Sequence, residues 1–591
     1  MRKTLAQDLG LSYDDVKAGL ALLAAPRTVR TRNGTTVIPP SIVLEDDRAA
    51  LFELHDAELR IAKHVKRLIG ASAAALELPT DAFGARVPDA SQRAAVELAL
   101  RSGVMVLTGG PGTGKTTVCR AIIGGYEQAG LTVVGCAPTG KAAQRMRQQT
   151  GRPASTIHNA IGLVPGGEPR YNAKAPTFSP MTGEWVSGGP MPAGAVICDE
   201  SSMVDVSIFA DLLEAIATGA RVLIVGDVNQ LPSIGAGRVL FDLIQSGVVP
   251  CANLNTIHRQ ASESRIPYVA RDLNAGAVPD LTVTGSDFTH WETANEEDAG
   301  ERIVRALTDP TGSITARKGI PLADVQVLAA QYKGPCGVVV LNQRLQEQIN
   351  PAPDGDHNGD VFVGRGYSAR LKDRVIQTRN NYDLGPVMNG EMGYVVACDP
   401  NGLDVNQHLD AIWSGKVKEE GEGASDPSWD DTDDDTADDM PATALSADHL
   451  AAKFGGLRVE ADDDGKNRRA VWATRRVLVV DFGEGRKVAY SATEARELEL
   501  GYAITVHRSQ GSQWKAIVVG LHCQNAFMLT RALLYTAVTR AESFCLTVGT
   551  AVQMARAARN TRGTDRRTRL QQRLAATPIE ARSSLDGLTA P

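Results

Sequence analysis

Residues 109–117, Gly-Gly-Pro-Gly-Thr-Gly-Lys-Thr-Thr, have the types and spacing needed to wrap a chain of phosphates. They fit G-x4-G-K-[ST], follow an apolar run at 104–108 and open a stretch of helical pattern, the context this motif requires. Glycines let backbone N–H groups close around phosphate oxygens, and the N-terminus of the following helix adds partial positive charge. In such a cradle Gly110, Pro111, Gly112, Thr113, Gly114 and Thr117 line the nucleotide. Lys115 reaches the β- and γ-phosphates, and the Thr116 hydroxyl ligates Mg²⁺. Alone, the motif implies only that a nucleoside triphosphate binds.

Two further turns add reactive groups. Asp199–Glu200 end the apolar run 195–198, so Asp199 is expected to hold Mg²⁺ through water and Glu200 to orient and deprotonate the attacking water. The run 222–225 leads into GDVNQLPSIGAG at 226–237, where Asp227 and Gln230 are placed to meet a γ-phosphate. A lone Asp-Glu pair or polar turn is more often solvated surface. Following a phosphate loop at the ends of apolar runs, the pair reads as catalytic.

Short apolar runs at 104–108, 131–137, 195–198 and 222–225, each with a loop and a helical stretch, imply a parallel sheet with helices on both faces. A second set begins near 324 and resumes at 503–548. The expected architecture is α/β: two P-loop motor halves, at 86–260 and at 261–365 plus 498–575. Inserted in them are a β-hairpin at 165–194, carrying Tyr171, Phe178 and Trp185, and a small β-barrel at 366–497. Residues 1–85 read as a helical or winged-helix-like module, with Leu20, Leu22, Leu23, Leu51, Leu54 and Leu59 at helical spacing and a strand-like patch at 36–43. Residues 576–591 read as a tail.

The net charge of −7 does not exclude a nucleic-acid partner. Eleven acidic and no basic residues lie between Glu419 and Asp439, within an acidic loop at 415–445, and the remainder of the chain carries +4. That loop has the composition of a disordered, solvated segment. The basic stretch 556–573 is expected either to add salt-sensitive DNA affinity or to be a solvated helix face. Eight scattered cysteines without a CxxC pair imply buried thiols in a reducing compartment. No apolar stretch approaches a membrane span, and the N-terminus lacks the apolar core of an export signal, so a cytoplasmic location is expected.

In its ordered motifs the sequence resembles the RecD-like 5′→3′ DNA helicases of superfamily 1B, a group that includes the phage Dda helicase. The motifs are DASQRAAV with Gln92, the phosphate loop, APTGKAAQRM (137–146), STIH (155–158), DESSMVD (199–205), GDVNQLPSIGAG, LNTIHRQ (254–260), NGEMG (389–393), TVHRSQGSQW (505–514) and LLYTAVTRA (533–541). The resemblance implies two RecA-like motor domains, an SH3-like barrel, and ATP with Mg²⁺ as the fuel. It implies that Gln92 reads the adenine edge and that Arg259 and Arg540 are arginine fingers. It places Pro138, Thr139, Lys141 and His158, and then Thr505, His507 and Ser509, along a single strand of DNA. It makes the 165–194 excursion a strand-separating pin, single-stranded and forked DNA the substrates, and a monomer the active form. Replication, recombination and repair are the implied settings. Gln513 stands where the family has Glu, and Ser201 where it has Ala. A translocase that does not unwind, a binding subunit of a nuclease-helicase complex and an RNA substrate are the alternatives left open.

Overall fold

The computed structural model describes residues 12–31, 34–38, 40–46, 48–71, 75–79, 81–84, 87–163, 170–171, 177–179, 184–186, 188–256, 264–283, 286–353, 357, 359–381, 384, 387–403, 457–461, 468–472, 475–483, 485–523 and 527–576. Arg259 and the acidic tract 419–439 lie outside them. The chain divides into two compact units, Met1–Ser262 with Thr561–Pro591, and Glu263–Asn560.

The first unit is built on a six-stranded sheet in the order Cys251–Leu254, Val104–Gly109, Arg221–Gly226, Ala195–Cys198, Val133–Ala137, Ala154–Thr156, with every pairing parallel. Its central strands are apolar at nearly every position because both faces are covered. Val104, Val106, Val196, Val222 and Ile224 pack on one side with helices Phe52–Gly70 and Val206–Ala215. Met105, Leu107, Ile197, Leu223 and Val225 pack on the other with helices Ala90–Arg101 and Lys115–Gln128.

The N-terminal residues form helix Tyr13–Leu23, two hairpins (Arg27–Thr31 with Gly34–Ile38, and Ile42–Glu45 with Arg48–Leu51) and helix Phe52–Gly70. The patch anticipated at 36–43 is thus two strands of different hairpins. Pro39 and Pro40 cannot supply ladder donors, which explains the break. The long helix is held by Ala57, Ile61, Val65 and Leu68, whereas Leu51 (59% exposed) and Leu59 (44%) fall off the buried stripe. Leu22 and Leu23 are likewise exposed.

Also on that helix, His64 is buried and its Nδ1 accepts a hydrogen bond from Arg67 Nε at 3.0 Å. Burial first, and then the neighbouring Arg67 charge, lower its pKa from 6.5 to about 4. The unfolded chain therefore binds more protons than the folded one between these values. His64 contributes stability that is complete above pH 6.5 and is lost as the pH falls toward 4, at most ~3 kcal/mol. Replacing His64 with Gln should make the first unit less acid-sensitive over this window. Urea unfolding midpoints at pH 7 and pH 4.5 check this, and an unchanged wild-type-minus-variant difference refutes it.

From the sequence, 498–575 is expected to complete the second motor half, with the basic stretch 556–573 adding DNA affinity or forming a solvated helix face. From Thr561 the chain returns to the first unit instead. Leu570 and Leu574 of helix Leu570–Ala576 enter the core beside helix Phe52–Gly70. Arg573 bonds Glu45 (2.8 Å) and Glu58 (3.0 Å), and Arg569 bonds Asp46 (2.7 Å). Two arginines of the basic run, Arg569 and Arg573, thus meet acidic partners supplied by the N-terminal hairpin and helix.

The second unit carries a five-stranded parallel sheet in the order Phe288–Glu292, Ala541–Gly549, Trp514–Gly520, Val325–Ala329, Ala503–Thr505. A five-stranded antiparallel sheet follows in the order Lys487–Ser491, Arg476–Asp481, Met392–Cys398, Arg374–Gln377, Leu498–Leu500. Register shifts at Val395/Ala397 and Arg476/Leu478 bend its strands, as bulges do. Its last strand runs three residues past the barrel end read from the sequence. One apolar cluster, including Val327, Val518, Val375, Leu478 and Leu500, serves both sheets. Within the 165–194 excursion, Thr177–Ser179 pairs antiparallel with Glu184–Val186.

Candidate nucleotide and DNA site

Parallel pairing puts the turns that carry the chemistry at one edge of the first sheet. Gly226 is in register with Thr108, Cys198 with Ile224 and Cys136, and Ala137 with Thr156. The turns after these strands begin at Gly109, Asp227, Asp199, Pro138 and Ile157, all at carboxyl ends, where open parallel sheets bind ligands.

In the phosphate loop Gly112 (φ 74°) and Gly114 (φ 86°) adopt left-handed backbone. Gly114 is required twice over, because a Cβ there would stand 2.2 Å from Gln92 Nε2. Lys115 Nζ donates to Gly109 O (2.6 Å) and Gly110 O (2.9 Å), and Thr113 Oγ1 donates to Gly110 O (2.9 Å). Thr116 Oγ1 faces Gln149 Oε1 at 3.4 Å. Pro111 and Thr117 are half-buried, and Gly112 is exposed.

Gln92 is buried and both ends of its amide are engaged. Oε1 accepts from Asp89 N (3.3 Å) in a capping box, and Nε2 donates to Thr113 O (3.3 Å). The residue implied to read adenine thus also braces the phosphate loop. The D-x-x-Q spacing in DASQ signals the capping box at this helix start, whereas the bond to Thr113 O has no local sequence signal.

Glu200 occupies left-handed backbone (φ 49°, ψ 38°), strained for a residue with a side chain. Its N–H donates to Asp199 Oδ1 at 2.8 Å. Desolvation, then the Glu200 charge, push the Asp199 carboxyl up to about 6, against the pull of that N–H, Arg145 and Lys115. A carboxylate so short of positive charge suits a cation ligand. Ser201, where the resemblance leads one to expect Ala, donates its hydroxyl to Val225 O at 2.7 Å and ties this turn to the next strand. Asp227 is buried, and Gln230 Nε2 donates to its Oδ2 at 3.4 Å. Gln230 Oε1 is buried without a hydrogen-bond partner and fits an approaching ligand that carries donors.

The residues implied to follow DNA divide by exposure. Thr139 N-caps helix Gly140–Thr150, accepting from Ala142 N at 3.2 Å; Pro138 and Lys141 are half-buried beside it, and His158 is exposed. In the second unit His507 is exposed. Thr505 is buried and its Oγ1 accepts from Arg508 N (3.3 Å). Ser509 is fully buried, donating to Val506 O at 2.7 Å. As placed, Ser509 holds the turn. The sequence reading passed over Arg508 and Arg365, which share the buried carboxylate of Glu499 at 2.7 and 2.6 Å.

Arg540 is 2% exposed, with Nη1 donating to Ser512 O (3.1 Å), Nε to Thr536 O (3.2 Å) and Nη2 to Thr539 Oγ1 (3.4 Å). Among the described residues no group of His, Cys, Asp and Glu could hold a metal by itself, and no helix is long and apolar enough to cross a membrane.

Three family models match the chain: an AAA domain over residues 88–290, the SH3 domain of ATP-dependent RecD-like DNA helicases over 341–408, and a UvrD-like helicase C-terminal domain over 500–546. The SH3 match begins upstream of the barrel start read from the sequence. The ATP-dependent RecD2 DNA helicase of Deinococcus radiodurans is 33% identical over 448 residues, 76% of this chain. This chain spans about half of that relative's length (47%). The RecBCD enzyme subunit RecD of Mycobacterium tuberculosis is 30% identical over 583 residues, covering 90% of this chain and 82% of the relative. Its Mycolicibacterium smegmatis counterpart is 28% identical over 570 residues, covering 91% and 83%. With the phosphate loop, the two parallel sheets and the helicase SH3 match in place, the chain belongs to the RecD-like family of ATP-dependent DNA helicases.

Proposed function

We propose that this chain uses ATP to move 5′→3′ along single-stranded DNA and that the movement separates duplex strands. One observation carries the reading: the phosphate loop that leads to Lys115, the Asp199–Glu200 turn and the Asp227–Gln230 turn follow three strands of one parallel sheet in matched register. Lys115 would exchange its two carbonyl partners for β- and γ-phosphate oxygens. Glu200 would take the proton of the attacking water, and Gln230 would donate to the γ-phosphate from its amide nitrogen while its unpartnered oxygen accepts from that water. Thr116 and Asp199 would hold Mg²⁺, which neutralises phosphate charge. To act as an arginine finger, Arg540 would trade its internal bonds for phosphate oxygens; Arg259 is assigned the same role from its motif.

Thr139, Lys141, His158, Thr505, His507 and Ser509, with Pro138 beside Thr139, are the proposed contacts to the strand: such groups suit phosphate and sugar contacts, which position a strand without reading its sequence. The hairpin around Thr177–Val186 is the proposed wedge, and the direction of travel rests on the family resemblance alone. The proposed setting is DNA repair or recombination in the cytoplasm, with the chain acting as a monomer.

Forked duplexes with a single 5′ or a single 3′ tail test this. Strand separation is expected from the 5′ tail only. Unwinding from the 3′ tail alone refutes the polarity, and DNA-stimulated ATPase without separation on either fork leaves a translocase.

A further inference from the structure

Arg566 lies just beyond the point where the chain leaves the second unit and re-enters the first, and its guanidinium is committed to one loop. Nη1 donates to Gly237 O (2.9 Å), to Ser233 Oγ (3.3 Å) and to Gly235 O, while Nη2 donates to Ser233 O. A planar fork that engages three carbonyls of a short arc fixes the curvature of that arc in a way a single ammonium cannot.

The arc 233–237 is confined on its other side by the start of helix Val206–Ala215. Val206 N donates to Ala236 O at 3.0 Å. A Cβ on Gly235 would stand 2.5 Å from Asp205 Oδ2, and one on Gly237, in left-handed backbone at φ 93°, would stand 3.1 Å from Val206 Cβ. Between this clamped arc and Gln230 there are only two residues. Leu231 is buried, and Pro232 has its φ fixed by its ring. Such a link has little slack, so the position of the arc is passed on to Gln230.

We propose that Arg566 is a positioning residue for ATP hydrolysis: by clamping 233–237 it sets where the Gln230 side chain meets the γ-phosphate. This rests on the reading of Gln230 given above. Arg566 touches no reacting atom. Its effect is geometric, and misplacement of a catalytic group by about 1 Å costs on the order of 10²-fold in rate.

The test uses the full chain, with oligothymidylate as the DNA and steady-state ATP hydrolysis as the readout. For Arg566→Ala, kcat is expected to fall between ~10- and ~100-fold, with KM for ATP and the thermal midpoint near wild type. Guanidinium ion at low millimolar concentration should restore part of the lost kcat, whereas methylammonium should not. Arg566→Lys should stay impaired, and Gln230→Ala should be slow and deaf to guanidinium. Wild-type kcat in Arg566→Ala beside a slow Gln230→Ala overturns the positioning role alone. Wild-type kcat in Gln230→Ala overturns the reading beneath it. A fall in Arg566→Ala that comes with a lowered thermal midpoint and no guanidinium rescue marks a merely structural residue and also overturns the proposal.

Discussion

Lys115→Ala is expected to lower DNA-stimulated ATP hydrolysis by ~10²–10³-fold or more, the range seen when one preorganised electrostatic contact to a reacting group is removed. Lys115 Nζ is held by Gly109 O and Gly110 O in the same loop whose N–H groups would surround phosphate. Without the ammonium those two carbonyls face the phosphates unscreened, so the substitution removes an attraction and exposes a repulsion. The side chain is half-buried and bonds only its own loop among the contacts described, so the fold should survive. Phosphate release at saturating single-stranded DNA measures the loss. Turnover close to wild type would show that the loop is not the hydrolytic site.

Asp373→Ala should be the most destabilising single change in the second unit, costing ~3–5 kcal/mol. The carboxylate is wholly buried and takes four hydrogen bonds: from Asn350 Nδ2 (2.7 Å), Tyr502 OH (2.9 Å), Arg370 N (2.9 Å) and Gln346 Nε2. Those donors come from the end of helix Val338–Ile349, from the approach to strand Arg374–Gln377 and from the approach to strand Ala503–Thr505. One side chain thus joins the antiparallel sheet to the parallel one. Burial raises its pKa and the donors oppose that, the balance expected of a charge retained only because its partners are complete. Alanine would strand Tyr502 OH and Arg370 N and leave Gln346 Nε2 and Asn350 Nδ2 with only Ser368 O and Leu371 O, and each buried donor left unmatched costs about 1–3 kcal/mol before relaxation. A fall in the thermal midpoint, read by far-UV dichroism, is the expected signature, and an unchanged midpoint refutes it.

The sequence exposed the chemistry more readily than the joinery. The strands at 104–109, 195–198 and 221–226 were legible because burial on both faces demands unbroken apolar runs, and the phosphate loop because only Gly at 112 and 114 suits its backbone. Side-chain direction was less accessible. Ser509 and His507 sit two residues apart in one motif, yet one is fully buried and the other exposed, since a tight turn sends them opposite ways. The left-handed conformation of Glu200 has no sequence signal at all. The basic run at 556–573 was ambiguous for a different reason: its carboxylate partners Glu45, Asp46 and Glu58 lie more than five hundred residues away, beyond the reach of any local pattern.

That separation has a consequence for how the protein is made. Leu570 and Leu574 belong to the core that helix Phe52–Gly70 begins, yet the roughly 300 residues of the second unit are synthesised in between. At ~5–20 residues per second a ribosome needs on the order of 15–60 s to bridge that gap. Throughout this interval the core between the first long helix and Val239–Ser246 lacks Leu570 and Leu574. The second unit is continuous in the chain and can close on itself first. Order of translation and order of completion are therefore reversed, and helix Leu570–Ala576 seals the half that was started first.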